Sequence, residues 1–184
     1  MRKILLATTL ALTAVTAVTA QAEPFSYDYV EGGVGEVDSG DALFAKGSRA
    51  LDQNLFVLGG VYALDFPHDV SGYYLEGGVG YHVPLSKQAD LFMTAQLLYA
   101  DIDSHGDNDD LGAVLRVGSR FSPFTKLELE GALALSSNDM LVNDGVGIDV
   151  SGRYYFTKQF SAALGLHSDT ELDGASLGVR YNFR

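Results

Sequence analysis

The last eleven residues, 174–184, alternate without a break. Ala175, Leu177, Val179, Tyr181 and Phe183 share one face; Ser176, Gly178, Arg180 and Asn182 share the other. Successive side chains on a strand point to opposite faces, so this period of two predicts a half-buried β-strand. The same alternation recurs upstream, interrupted by two kinds of connection in turn. One kind is short, at 52–54, 84–89, 122–125 and 157–159. The other is rich in Asp and Gly, at 38–41, 65–72, 103–110, 138–145 and 169–174. Four of the first and five of the second make nine connections and therefore ten predicted strands, at about 25–37, 42–51, 55–64, 73–83, 91–102, 111–121, 126–137, 146–156, 160–168 and 174–183.

Strands five to ten sort into two distinct faces. Residues such as Leu97, Leu115, Leu133, Ile148 and Leu164 make one face; Thr94, Gln96, Arg116, Arg120, Glu128, Glu130, Asp149, Arg153, His167 and Arg180 make the other. The early strands are less regular. Leu55 to Leu64 is apolar on both faces, and Lys46 and Arg49 cannot share a face by simple alternation, which points to a bulge near Gly47. Tyr29 to Gly35 echoes Tyr74 to Gly80 (Tyr-Val/Leu-Glu-Gly-Gly-Val-Gly), but in strands of opposite direction, so the echo reflects shared patterning rather than a solenoid repeat.

The N-terminus changes the compartment expected of these strands. Arg2 and Lys3 precede an apolar stretch, Ile4 to Val18, and Ala20-Gln21-Ala22 offers small residues for cleavage before Glu23. Residues 1–22 therefore read as a secretory signal peptide and 23–184 as one domain. The chain has 12 Lys+Arg and 24 Asp+Glu; losing Arg2 and Lys3 leaves 10 against 24, a charge of −14, which argues against nucleic acid as a partner. With no Cys there is no disulfide frame, thiol chemistry or thiolate metal site. The 21 Gly and 4 Pro suit long strands joined by tight turns.

Alternation alone leaves open whether the apolar face meets lipid or a soluble core, as in a lipocalin-type calyx. Three features favour lipid. The polar face carries many glycines (Gly33, Gly35, Gly78, Gly80, Gly118, Gly165 and Gly178 among them), which weaken a solvent-facing strand for no gain but leave room in a narrow lumen. Its charges also balance: Glu31, Glu76, Glu128, Glu130 and Asp149 against Lys46, Arg116, Arg120, Arg153 and Arg180. Unpaired buried charge is costly, so an enclosed interior requires such matching. Finally, aromatics gather near strand ends (Tyr81, Phe92, Phe121, Phe124, Tyr154, Phe156, Phe160, Tyr181, Phe183), as interfacial girdles do.

With its export signal and closing strand, the chain resembles the small bacterial outer-membrane β-barrel proteins of the OmpX/OmpA-domain kind. The resemblance implies an all-β, antiparallel, up-and-down transmembrane barrel; ten strands are counted here, with eight, commonest in those proteins, as the alternative. It also implies outer-membrane lipid and lipopolysaccharide as surroundings, and handling by periplasmic chaperones and the barrel-assembly machinery. Val179, Tyr181 and Phe183 would be the insertion signal, with the departure that Arg184 follows Phe183.

The candidate chemistry is sparse. Asp101-Ile-Asp103-Ser-His105-Gly106-Asp107-Asn-Asp109-Asp110 resembles the start of an EF-hand loop, but its twelfth position is Gly112 rather than Glu, and it sits in a hairpin. Loose binding of divalent cations by Asp101, Asp103, Asp107 and Asp109 is the alternative to a solvated acidic loop. His167 lies on the polar face, and the adjacent Ser168 on the other, so they do not form a nucleophile–base pair. His82 and His68 complete no triad or metal cluster. The expectation is a cofactor-free, non-enzymatic envelope protein whose lumen is plugged by ion pairs, with a structural or surface-interaction role. A narrow porin or channel for small solutes is the alternative; a lipid-modifying barrel enzyme is a third reading.

Overall fold

The computed structural model describes residues 25–37, 40–67, 70–102, 109–137, 145–168 and 174–183. The expected signal peptide, the acidic loop tips, His68, Asp103 and Asp107 lie outside the described residues. Ten strands form: β1 (Tyr29–Val37), β2 (Gly40–Ala50), β3 (Leu55–Phe66), β4 (Val70–Pro84), β5 (Ala89–Ile102), β6 (Asp109–Phe124), β7 (Leu127–Ser136), β8 (Gly145–Tyr155), β9 (Phe160–Ser168) and β10 (Gly174–Asn182). Each pairs antiparallel with its chain neighbours, and β1 pairs with β10 from Tyr29↔Asn182 to Gly35↔Ser176, so the sheet closes on itself. Every strand therefore has a partner on both sides. Ten strands is the count read from the alternation, and it replaces the eight-strand alternative.

The strands outrun their expected bounds. β4 begins at Val70 and β6 at Asp109, because ladder pairing carries on into the Asp/Gly-rich connections, and β6 continues to Phe124, within the short connection at 122–125. No bulge forms at Gly47: β2 pairs in unbroken register with β1 and β3. Lys46 therefore faces inward, while Arg49 points outward and reaches Asp28 at 3.4 Å. The register shift is elsewhere, between Phe121 and Phe124 on β6.

At the end of the barrel where the described residues begin and end, the connections are tight. Leu51, Leu85 and Phe156 donate their amides to the carbonyls of Leu55, Ala89 and Phe160 at 2.8–3.0 Å. This near end also carries an aromatic rim of Tyr81, Phe124, Tyr154, Phe156, Phe160, Tyr181 and Phe183, all exposed on the outer surface. Phe92 departs from the expected girdle; it is buried inside the barrel, on the same face as Thr94 and Gln96.

The outer surface is apolar over its full height. Leu97, Val117, Leu133, Ile148 and Leu164 are 49–64% exposed, with Leu or Val neighbours on adjoining strands. A monomer in water rarely shows contiguous apolar surface on this scale, whereas hydrocarbon satisfies it. Among the described residues no helix is long and apolar enough to cross a membrane.

Toward the far end, one side of the interior is filled by an apolar cluster: Ala42, Phe44, Tyr62, Leu64, Tyr74, Leu98, Ala100, Val114 and Ala134. Tyr62 and Tyr74 stack at 3.9 Å. This explains why β3 is apolar on both faces: Phe56, Tyr62 and Leu64 pack within, and Leu55 and Val61 face out.

Candidate functional site in the barrel interior

Alternation along seven of the strands brings all ten charges of the polar face to the inside, where they fall into three groups. The first centres on Glu31. Its carboxylate accepts from Arg180 Nε at 2.5 Å and Arg153 Nη2 at 2.8 Å, and Lys46 Nζ lies 3.8 Å away. Glu31 and Arg180 are register partners, as are Glu31 and Lys46, so the strand pairing itself assembles the group. Gly178 leaves room for it, since a Cβ there would lie 2.8 Å from Glu31 Oε1, while Gly33 leaves room for the Phe44 ring.

The second group is a hydrogen-bonded chain that runs round the wall from β3 to β10. Tyr62 Oη donates to Glu76 at 3.1 Å, and Gln96 Nε2 donates to the same carboxylate at 2.8 Å. Arg116 donates through Nη1 to Gln96 Oε1 at 2.6 Å and through Nε to Asp149 Oδ2 at 3.3 Å. Asp149 Oδ1 meets His167 Nδ1 at 2.7 Å, and His167 Nε2 meets Ser176 Oγ at 2.8 Å. The two groups border an interior cavity of about 140 Å³.

The third group closes the near end. Arg120 donates to Glu130 at 2.8 Å and lies 4.0 Å from Glu128, which also accepts from Tyr155 Oη at 2.8 Å. Residues 25–28 belong to no strand, yet Tyr27 and Asp28 are buried in the mouth. Tyr27 stacks on His82 at 4.1 Å, packs against Phe56 at 4.3 Å, and donates its hydroxyl to Asp90 at 2.8 Å. The Arg120 guanidinium sits 4.5 Å from the Tyr27 ring and donates to the Ser26 carbonyl at 3.3 Å. Asp28 accepts the Ala50 amide at 3.0 Å, anchoring the segment to β2. Beside it lies a cleft of about 340 Å³, lined by Phe25, Ser26, Lys126, Tyr155, Lys158 and Asn182 among others.

Sequence reasoning found the charged residues but missed two features. Phe25 to Asp28 was read as the start of the first strand; it turns inward instead, and Tyr27 with its flanking aromatic and acidic partners was not singled out. Ser176 was seen only as a polar-face residue. Its signal was available: His167 and Ser176 share the polar face of consecutive strands, joined by the Asp/Gly-rich connection at 169–174. Their contact depends on the β9–β10 register, which pairs Ser176 with Gly165. Among the described residues no group of three or more His, Asp or Glu could hold a metal ion. Val179, Tyr181 and Phe183 all lie on the outer surface.

No protein-family model matches the chain, and no curated protein matches it. Solved structures with similar architecture include the KdgM porin (TM-score 0.48, 11% identity, covering 85% of this chain and 99% of that one). The NanC porin in a rhombohedral crystal form has a TM-score of 0.46 at 10% identity, covering 85% of this chain and 98% of that one. The COG4313 outer membrane channel from Pseudomonas putida F1 has a TM-score of 0.47 at 11% identity, covering 90% of this chain and 98% of that one.

Proposed function

We propose that this chain is an outer-membrane β-barrel that acts as a narrow passage for small polar solutes and is closed at rest from the periplasmic side. The apolar outer surface lies in the hydrocarbon and the short connections lie on the periplasmic side. The observation that carries the reading is the way the near end is closed. A four-residue segment outside the sheet, 25–28, fills the mouth beneath a polar cavity of about 140 Å³. A permanently filled barrel needs no such stopper, since side chains from the strands alone fill the interior of small barrels. Acidic and basic groups face the cavity together, so the solutes it suits are neutral or zwitterionic rather than strongly charged.

The structural reading, a barrel locked by ion pairs, draws support from Glu31, which three cationic side chains surround inside the barrel. Planar-bilayer recording separates the two. The passage reading expects brief, small openings from the wild-type protein and long, frequent ones from Tyr27→Ala. Silence from both proteins, with heat-modifiable gel migration showing both folded, selects the sealed structural barrel. The outward aromatics of β10 support recognition by the assembly machinery, and lipopolysaccharide remains the expected neighbour of the acidic loops.

A further inference from the structure

The geometry points to Ser176 as an activated nucleophile, with His167 as its general base and Asp149 as the residue that positions the histidine. Asp149 Oδ1 lies 2.7 Å from His167 Nδ1, and Ser176 Oγ lies 2.8 Å from His167 Nε2. A carboxylate on Nδ1 holds the ring proton there and leaves the Nε2 lone pair to the serine hydroxyl, which is the tautomer a base requires. Arg116 grips the other oxygen of the same carboxylate at 3.3 Å, so Asp149 is fixed from both sides. Gly165 makes the arrangement possible. It faces Ser176 across the β9–β10 pair, and a Cβ there would lie 2.6 Å from both His167 Nε2 and Ser176 Oγ. The histidine ring folds back over its own strand into that space. All of these groups border the interior cavity, and Ser176 stands two residues from the far-end start of β10.

The chemistry is acyl transfer. The Ser176 Oγ lone pair attacks the carbonyl carbon of an ester while the hydroxyl proton passes to His167 Nε2. The carbon–oxygen bond to the alcohol then breaks, and the alcohol leaves with that proton. Water attacks the acyl-serine with its proton taken by the same nitrogen, and the carboxylic acid departs as Ser176 regains its hydrogen. Backbone amides of a closed barrel are committed to the ladders, so they do not offer an oxyanion hole. The substrate class is therefore small esters with good leaving groups, for which oxyanion stabilisation matters least. This activity goes beyond a passage role and does not depend on it.

The test uses the folded protein in detergent, treated with a fluorophosphonate probe and, separately, with 4-nitrophenyl acetate. The expected result is a phosphonyl adduct on the peptide carrying Ser176, formed with loss of fluoride. It is absent in Ser176→Ala and in heat-unfolded wild type, and forms about a hundredfold or more slowly in His167→Asn. Because the chain has no Cys, Ser176→Cys gives a second readout. Its alkylation by iodoacetamide at neutral pH should be markedly faster than in the Ser176→Cys/His167→Asn double variant. Absence of the adduct from folded wild type, or equal alkylation rates in the two Cys variants, would overturn the assignment and leave a purely structural hydrogen-bond chain.

Discussion

Arg180 on β10 and Glu31 on β1 are register partners across the seam where the last strand meets the first, and the guanidinium donates to the carboxylate at 2.5 Å. The pair thus joins the two ends of the sheet inside the barrel as the ladder joins them in the wall. Glu31 also serves Arg153 and Lys46, so the four groups are not interchangeable.

Glu31→Ala strands three cations that face one another. Removing one partner of a buried ion pair costs about 3–5 kcal/mol, and the loss of a shared carboxylate belongs at the upper end. Arg180→Ala is milder, because Arg153 and Lys46 still neutralise Glu31. Urea unfolding of the two variants in lipid vesicles checks the order; equal losses would remove the central role given to Glu31.

Gly80 faces inward, where a Cβ would overlap the Phe56 ring, whereas Gly77 faces outward with nothing within 4 Å of a Cβ. Gly80→Ala should therefore destabilise by about 1–3 kcal/mol through overpacking. Gly77→Ala should be neutral, or stabilising by about 0.5 kcal/mol, as chain entropy is removed from the unfolded state. Adding Phe56→Leu to Gly80→Ala should recover part of the loss. Matched unfolding curves for the two alanine variants would contradict the inward assignment.

Much of the barrel was legible from one rule, the period of two. It gave the strand count and put Arg116, Arg153 and Arg180 on the same side as Glu31 and Asp149, because a side chain's face follows from its place in the strand. Other features depend on registers between strands, which the period does not encode. The apolar run Leu55 to Leu64 gave no sign of whether Tyr62 or Val61 lay inside until Tyr62 met Tyr74 across β3–β4. Lys46 and Arg49 suggested a bulge because both were assumed to belong inside, yet Arg49 is satisfied by Asp28 at the rim. Next to His167 the sequence offers only Ser168, which faces the other way; the hydroxyl partner, Ser176, comes from the next strand.

Tyr27→Phe separates ring packing from hydrogen bonding in the near-end stopper. The ring stays between His82, Phe56 and Arg120, and only the bond to Asp90 is lost. The expected cost is about 1 kcal/mol, with conductance unchanged from wild type. Openings as large as those of Tyr27→Ala would mean that the hydroxyl, not the ring, holds the mouth shut.

A charge on the outer face should be penalised according to depth. Val117 lies near the middle of β6, 56% exposed between Met93 and Leu133, while Leu85 sits in a short near-end connection. Val117→Arg should cost about 2–4 kcal/mol and Leu85→Arg about 0–1 kcal/mol in vesicles. A soluble protein with this surface in water would show no such gradient.

The most direct test of the inverted arrangement, apolar side chains outward and charges within, exploits the absence of tryptophan from the chain. Val117→Trp places a single fluorophore at mid-height on the outer face. Reconstituted in vesicles, it should emit at short wavelength, be strongly quenched by lipids brominated midway along their acyl chains, and be shielded from aqueous iodide. Strong quenching by iodide with none by the brominated lipids would contradict the account.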